Sequence, residues 1–399
     1  MINPASDSPT VASLFCGCGG FDVGFENVGF RGIGAFDISP QAVSVFRRNL
    51  HNKCVVADLA TASINNANVG RPDVVIAGSP CQGFSTLGKN DSADPRNSLL
   101  LRGALIAVNL RPRVIVLENV CGVLSGRMRV HWDEATSILR EAGYSTLTQR
   151  VTSSDFGVPQ IRKRVFLIAS KSKALNSFSV PRHGKVSLKQ VLSGITRLPN
   201  HEPIELKPSS EAFHIAARIG QHQKLCNVRG GDRSVPTWLI PEVFGGTTKR
   251  ERDVLEVIRA LRRRIRLRKC GDSDPLTMHD LKKECGKDVG SVIDRLFTKG
   301  YLRKMHGRVD LTHTFNGKYR RLCYAHPSPA VDTRFGTPAY YLHPEEPRGF
   351  TAREAARIQG FPDTFVFEGT RSTQFKMIGN AVPPPVAESI AMAIKERLL

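Results

Sequence analysis

Val11-Ala12-Ser13-Leu14-Phe15 runs without a break into Cys16-Gly17-Cys18-Gly19-Gly20, and the reading of that junction decides the fold. A short apolar strand stops at glycines, and a helix starts there. The alternation continues outward. RGIGAFD (31–37) reads as a second strand and residues 39–49 as the helix after it. PDVVIAG (72–78) and RVIVLEN (113–119) are continuous apolar runs rich in β-branched residues, as strands of a buried parallel sheet should be. Residues 97–110 supply the helix between them, and RVFLIAS (164–170) is a later strand. Strands alternating with helices predict a doubly wound α/β sheet, whose ligands bind at the carboxyl ends of the strands.

That rhythm stops after Lys171. Residues 181–346 are polar, interrupted by prolines and without a regular period, and define a second, smaller domain. It is set between a first part at 8–180 and a return to the first domain at 347–399. Within it, residues 249–269 hold ten Lys/Arg against three acids, with Val254, Ile258, Leu261 and Ile265 at helical spacing. Residues 278–324 then read as helix, turn, helix and hairpin. Val289, Val292, Ile293 and Leu296 make the apolar face of the second helix, Gly300 ends it, and Asn316-Gly317 is a hairpin turn. That order resembles a winged helix-turn-helix over about 249–325. Helices at 351–359 and 386–399 restore regular structure.

A chain of 399 residues is long enough for two domains. Its 57 Lys+Arg against 36 Asp+Glu leave a net charge of +21, an excess that favours polyanions and phosphate contacts. No run approaches the ~18 apolar residues of a membrane span, and the polar start lacks the pattern of a signal peptide. A cytoplasmic protein is expected. The nine cysteines are odd in number, and no pair has the two-residue spacing of a zinc knuckle. Cys16 and Cys18 among glycines read as loop packing, no metal is expected, and a reducing interior fits.

The motifs lie at predicted strand ends. In the loop from Phe15 to Gly20, glycines let a ligand approach the backbone and expose helix N-terminal N–H groups. It is not a dinucleotide fingerprint, because Asp22 stands where the third glycine belongs. Asp37 ends the second strand and suits ribose hydroxyls; Asp58, after Val55-Val56, suits an adenine amine. Gly78-Ser79-Pro80-Cys81-Gln82-Gly83-Phe84-Ser85 places a cysteine at the carboxyl edge of the third strand. Glu118-Asn119-Val120 brings a carboxylate to the next strand end, and Gln160-Ile161-Arg162-Lys163-Arg164 supplies guanidiniums. Cysteine, carboxylate and arginine at neighbouring strand ends exceed what packing requires.

With these motifs in this order, and with Arg353 to Pro362 (REAARIQGFP) and Gly379 to Pro384 (GNAVPP) after them, the chain resembles the prokaryotic DNA cytosine-5 methyltransferases. The resemblance covers about 11–180 and 330–395. The middle matches the place of that family's variable target-recognition region. It implies an S-adenosylmethionine-dependent methyltransferase fold, S-adenosylmethionine as cofactor, double-stranded DNA as partner, a monomer near the nucleoid, and a place in a restriction-modification system. Cys81 would attack carbon 6 of a cytosine flipped out of the duplex. Protonated Glu118, its pKa raised by desolvation, would bond ring nitrogen 3. Arg164 would meet the base carbonyl, and Arg162 a phosphate or the groups behind. The cofactor would lie over Phe15, Gly17, Gly19 and Gly20, with Asp37 on the ribose, Ile38 on adenine and Asp58 on its amine. Ile38 replaces the aromatic residue often found there. Pro80, Leu99, Asn380 and Val382 would close the pocket, which brings the C-terminal helix back beside the first strand. Gln82 and Ser85 belong to a loop suited to closing on DNA, and Arg262, Arg263, Arg264 and Arg266 would contact phosphates.

Two other readings stay open at this level. A transfer-RNA cytosine methyltransferase shares the catalytic motifs, although no Cys-Phe-Thr tripeptide marks that branch here. A DNA-binding regulator with a vestigial methyltransferase half is opposed by intact Cys81, Glu118 and Arg164.

Overall fold

The computed structural model describes residues 7–80, 98–172, 175, 178–225, 234–267, 274–312 and 318–399. They form two compact units: Met1–His201 with Tyr324–Thr333 and Ala352–Leu399, and Glu202–Cys323 with Arg334–Thr351. Residues 181–201 and 324–333, expected in the second domain, therefore belong to the first. The reason is visible in Arg357, whose guanidinium bonds the carbonyls of Val191 and Ser193, and in Arg353, which bonds that of Pro199.

The strands of the first unit are β1 (Thr10–Leu14), β2 (Arg31–Asp37), β3 (Cys54–Val56), β4 (Val74–Gly78), β5 (Val114–Val120), β6 (Ser145–Thr152), the short β7 (Gln160–Ile161) and β8 (Lys163–Ser170). Seven of them make one sheet in the order β3-β2-β1-β4-β5-β8-β6. All neighbours are parallel except β8, which runs antiparallel to both β5 and β6. The link from β6 to β8 is too short for the crossover helix that a parallel pair needs, so β8 must turn back. The doubly wound α/β sheet holds, with this one reversed strand added. Strand order reverses between β1 and β4, which opens a crevice outside their carboxyl ends.

The helices of this unit are α1 (Gly20–Asn27), α2 (Pro40–Asn49), α3 (Asn66–Val69), α4 (Ser98–Asn109), α5 (Arg129–Glu141) and α6 (Leu188–Leu192), then α12 (Ala352–Gln359), α13 (Arg371–Asn380) and α14 (Pro384–Arg397). Alternate side chains of each strand enter opposite cores, as the period of two demands. Val11, Val74, Ile76, Val114 and Val116 pack with Phe21 and Phe25 of α1 and with Val386, Ile390 and Ile394 of α14. Ala12, Leu14, Val75, Ala77, Ile115 and Leu117 pack with Leu100 and Ala104 of α4 and with Trp132, Ala135 and Leu139 of α5. The last helix of the chain thus completes the layer that the first begins, and Pro384 opens it where a missing N–H costs nothing.

The second unit holds α7 (Glu211–Ala217), α8 (Pro241–Phe244), α9 (Lys249–Arg264), α10 (Met278–Cys285) and α11 (Val289–Thr298). Its strands are short: β9 (Lys224–Leu225) beside β10 (Ser234–Val235), the hairpin β11 (Leu302–Met305) with β12 (Arg308–Leu311), and β13 (Arg320–Arg321) beside β15 (Tyr341–Leu342). The strand β14 (Ser328–Pro329) belongs to the first unit, where it pairs with β7. Val254, Ile258, Leu261, Val292, Ile293, Leu296, Val309 and Leu311 share one core with Trp238. The hairpin turns at His306-Gly307, both with positive φ (50° and 74°), as a tight two-residue turn requires. The turn expected at Asn316-Gly317 lies outside the described residues. Arg262, expected on phosphate, is inside: it is 2% exposed and its Nη2 meets Asp310 Oδ1 at 2.6 Å. It stands four residues after Ile258 and so shares that residue's inner face.

Gly24 lies where α1 and α14 come closest. A Cβ there would sit 2.4 Å from the backbone nitrogen of Glu388 and 2.5 Å from Ala387 Cβ. Gly24→Ala gains helix propensity but forces the two helices apart. The expected net loss is roughly 1–3 kcal/mol, read as a lowered urea midpoint; a midpoint equal to the parent's would show that the packing can yield freely.

Candidate active site

A cavity of about 410 Å³ opens at the carboxyl ends of the strands. One wall is the loop after β1. Phe15 takes a left-handed conformation (φ 53°), a strained choice for an aromatic residue that the surrounding structure must hold. The carboxylate of Asp37, at the end of β2, fastens the loop: Oδ2 accepts from Gly17 N at 2.9 Å and Oδ1 from Ser39 N at 2.8 Å. Ser39 caps α2 in turn. Gly20 lets the far end of the chain approach, since a Cβ there would sit 2.5 Å from the Val382 carbonyl oxygen. Gly19 is different. Its φ is +96° and a Cβ would strike Leu50 and Phe46 of the α2 region, so it fits the loop against that helix and does not line the cavity.

The other expected cofactor residues do line it: Phe15, Gly17, Gly20, Asp37, Ile38, Asp58, Pro80, Leu99, Asn380 and Val382. Ile38 is 65% exposed, an apolar side chain held open at the rim. Asp58 is exposed and spends one oxygen on Ala60 N at 3.0 Å. Sequence reasoning missed α13, which adds Ser372, Thr373, Lys376 and Met377 to the wall. Its sequence, RSTQFKMIGN, has no apolar stripe to read; the one cue is Thr370, whose hydroxyl accepts from Thr373 N. Cys16 and Cys18 are packed thiols. Cys16 Sγ lies 3.5 Å from Cys54 Sγ, and burial pushes Cys18 up to about 12.

Glu118 and Arg164 face each other at the inner end of the cavity. Register sets this pair: Val120 of β5 stands opposite Arg164 of β8, which brings Arg164 Nε 2.8 Å from Glu118 Oε1. Burial raises the Glu118 pKa, Arg164 and Arg162 pull the other way, and burial wins. Arg162 is 3% exposed and points into the protein. Its guanidinium donates to the carbonyls of Val331 (3.0 Å), Gly379 (2.9 Å) and Ala381 (3.1 Å), so of the two places expected for it, a phosphate or the groups behind, these bonds match the second. Cys81, Gln82 and Ser85 lie outside the described residues. The residues just before them are placed: Pro80 lines the cavity, and Asn119 Nδ2, next to Glu118, donates to Ser79 Oγ at 3.2 Å.

A family model for C-5 cytosine-specific DNA methylases matches residues 10–396, and the chain belongs to that family. Type II methyltransferase M.DdeI of Desulfomicrobium norvegicum is 31% identical over 96% of this chain and 88% of its own length. Type II methyltransferase M1.HphI of Haemophilus parahaemolyticus is 30% identical over 97% and 87%. Among solved structures, a DNA modification methyltransferase encoded within an E. coli prophage superposes with TM-score 0.59 at 24% identity, covering 98% of this chain and 99% of that one. The S. pombe Dnmt2 methyltransferase follows at 0.53 and 16%, covering 97% and 99%, a likeness of fold alone. The protein is a DNA cytosine-5 methyltransferase, and S-adenosylmethionine is its methyl donor. The cavity suits that molecule. It combines an apolar rim at Ile38 and Phe15 with carboxylates at Asp37 and Asp58, within the volume range of small-molecule sites. No helix among the described residues is long and apolar enough to cross a membrane.

Beneath the glycine loop, Asp22 is 2% exposed and accepts from Ser13 Oγ at 3.0 Å, while its other oxygen finds no partner. Burial pushes its pKa up to about 8, with buried Glu26 one turn on adding to the rise. The folded protein therefore keeps a proton that the unfolded chain loses near pH 4. This contribution is fully present below that pH and is lost as pH rises toward 8, at up to about 1.4 kcal/mol per pH unit. Asp22→Asn should flatten the fall, measured as urea midpoints from pH 5 to 8; an unchanged slope would mean that Asp22 ionises as freely folded as unfolded.

Proposed function

We propose that Cys81, Glu118 and Arg164 perform the methylation of a cytosine flipped out of duplex DNA. The observation that carries the reading is the Glu118–Arg164 pair: a buried carboxyl with a raised pKa, beside a guanidinium, in the cavity that Pro80 lines immediately before Cys81. Carbon 5 of cytosine is a poor nucleophile and must first gain electron density. The Cys81 thiolate forms a bond to carbon 6, and the ring π electrons shift toward nitrogen 3 and carbon 5. Glu118, protonated, bonds nitrogen 3 and holds that charge. Arg164 sits on one carboxyl oxygen and meets the carbonyl of the base. Bound in the cavity, S-adenosylmethionine supplies the electrophilic methyl group. Asp37 and Asp58 hold its ribose and adenine amine, with Ile38 against the ring. Loss of the carbon-5 proton then expels Cys81. Arg162 does not touch the base; it fixes β8, and with it Arg164, by binding three carbonyls.

The type II relatives support a further reading, in which the enzyme protects its own genome's sites beside a restriction endonuclease; we propose in addition that it works as a cytoplasmic, nucleoid-associated monomer. The excess of positive charge suits a partner that is a polyanion.

An oligonucleotide carrying 5-fluorocytosine at the target should form a denaturation-resistant adduct when cofactor is present, because fluorine blocks the last proton loss. Cys81→Ala should abolish the adduct, and an adduct of equal yield would remove Cys81 as nucleophile. Glu118→Gln should slow single turnover by about a hundredfold or more while leaving DNA affinity near the parent's. Equal rates would take Glu118 out of the chemistry.

A further inference from the structure

The arginine-rich stretch that dominates the charge of the second unit is largely spent inside that unit. Arg262 is buried against Asp310. Arg264 pairs with Glu284, and Arg259 lies 2.5 Å from Glu256. Arg250 donates to the Cys285 carbonyl and Arg252 to that of Thr247. Arg263 and Arg266 also engage neighbours. Three of these, at Arg250, Arg262 and Arg264, brace α9 against α10 and the hairpin.

Among the elements that follow, Arg295 and Lys299 are drawn to Glu251 and Arg303 to Asp310, but other basic residues stay open. Leu276 forms an antiparallel bridge to Val309, which adds a third strand position to the β11–β12 hairpin. The order is then helix, strand, helix, helix and two-stranded wing, around one shared core. Lys282 and Lys283 on α10 and Lys287 in the turn before α11 are exposed and make no ion pair or side-chain hydrogen bond among the described residues. On α11 the apolar side is buried at Val289, Val292, Ile293 and Leu296. Its outer face carries Ser291, Asp294, Arg295 and Thr298 at three- and four-residue spacing. At the wing, Lys304 and Arg308 are exposed.

Asp294 stands out on this basic surface. It is exposed, and its carboxylate has no partner among the described residues. Close to a phosphate it would be repelled. In the major groove it is an acceptor for the amino group of cytosine.

We propose that α10, α11 and the β11–β12 wing form a second surface for duplex DNA, with Lys282, Lys283 and Lys287 on phosphates and the outer face of α11, led by Asp294, against base edges. This rests on the DNA-methylating reading of the enzyme and assigns part of its sequence choice to a winged helix in which α9 is the brace. A partner that presents a regularly charged backbone and a groove with amino donors matches both the free lysines and the unpaired acid, its neighbours Glu284 and Asp288 being drawn to Arg264 and Arg250.

Two surface variants test it, each checked for a parent-like thermal transition. With Lys282, Lys283 and Lys287 all changed to Gln, DNA affinity against salt should lose about two to three units of log–log slope, with S-adenosylmethionine affinity unchanged. With Asp294→Ala, bisulfite sequencing of a methylated plasmid should show sites differing from the parent's at one base pair, discrimination there falling between about five- and a hundredfold. An unchanged slope in the triple variant overturns the contact surface. Unchanged sequence choice in Asp294→Ala overturns the reading role of α11. A parent protein that methylates no cytosine in the plasmid overturns the enzymatic reading itself, which tells that failure apart from these.

Discussion

The site depends on one buried guanidinium. Arg162 stands between β7 and β8, immediately before the strand that carries Arg164, and binds carbonyls at Val331, Gly379 and Ala381, all far along the chain. Beside it, Gln160 accepts from Val331 N at 3.0 Å and donates to Gln359, whose own amide reaches the carbonyls of Ile378 and Ala381. Each charge-assisted bond is worth about 1.5–3 kcal/mol, and a carbonyl left without its donor at this depth would cost about as much. The cavity wall formed by Asn380 and Val382 is therefore held by the same residues that hold β8. That wall and Arg164 cannot drift independently. This coupling explains why two parts of a sequence separated by a whole second unit make a single pocket.

Burial does further work on the acids near that pocket, with two outcomes. Asp22 faces only a serine hydroxyl and another acid, so desolvation dominates and the carboxyl stays protonated. Glu118 is desolvated too, but Arg164 and Arg162 oppose the rise. The result is a carboxyl with a raised pKa that still sits beside a cation. A carboxyl asked to donate a hydrogen bond to ring nitrogen 3 needs the first property. Arg164, 2.8 Å from that carboxyl, supplies the second without forcing the acid to ionise.

Much of this was legible before any coordinates, for physical reasons that also explain the failures. Apolar runs rich in β-branched residues within 72–78 and 113–119 allow little besides buried strands, and cysteine, acid and arginine motifs at strand ends locate a site on such a sheet. The edge strand β6, STLTQRVT, is covered on fewer sides and lacks that composition, so it went unread. The direction of β8 depends on a connection length, not on its residues. The helix α13 escaped because its wall residues serve a ligand and not a core. The His306-Gly307 turn escapes a sequence reading, because histidine is a weaker cue for positive φ than asparagine.

Arginine count proved a poor map of the surface, and the reason is general to loop-rich units. Irregular chain leaves backbone carbonyls without ladder partners, and each must be satisfied if it is buried. A guanidinium carries five donors in one plane and can serve several at once. Arg321, 5% exposed, bonds the carbonyls of Ala216, Ile219, His343 and Glu346; Arg353, fully buried, bonds those of Pro199, Pro362 and Phe365. Arg162 and Arg262 are used in the same way, one on carbonyls and one on a carboxylate. Burial lowers the pKa of Arg321 and Arg353, yet a guanidinium starts so high that it keeps its proton, which lysine at such a depth would not be sure to do. A net charge of +21 thus contains a structural share that never meets solvent. The charge left for a polyanion lies in lysines and in arginines that no carbonyl or acid has claimed, and among the described residues the densest run of basic sequence is a poor guide to them.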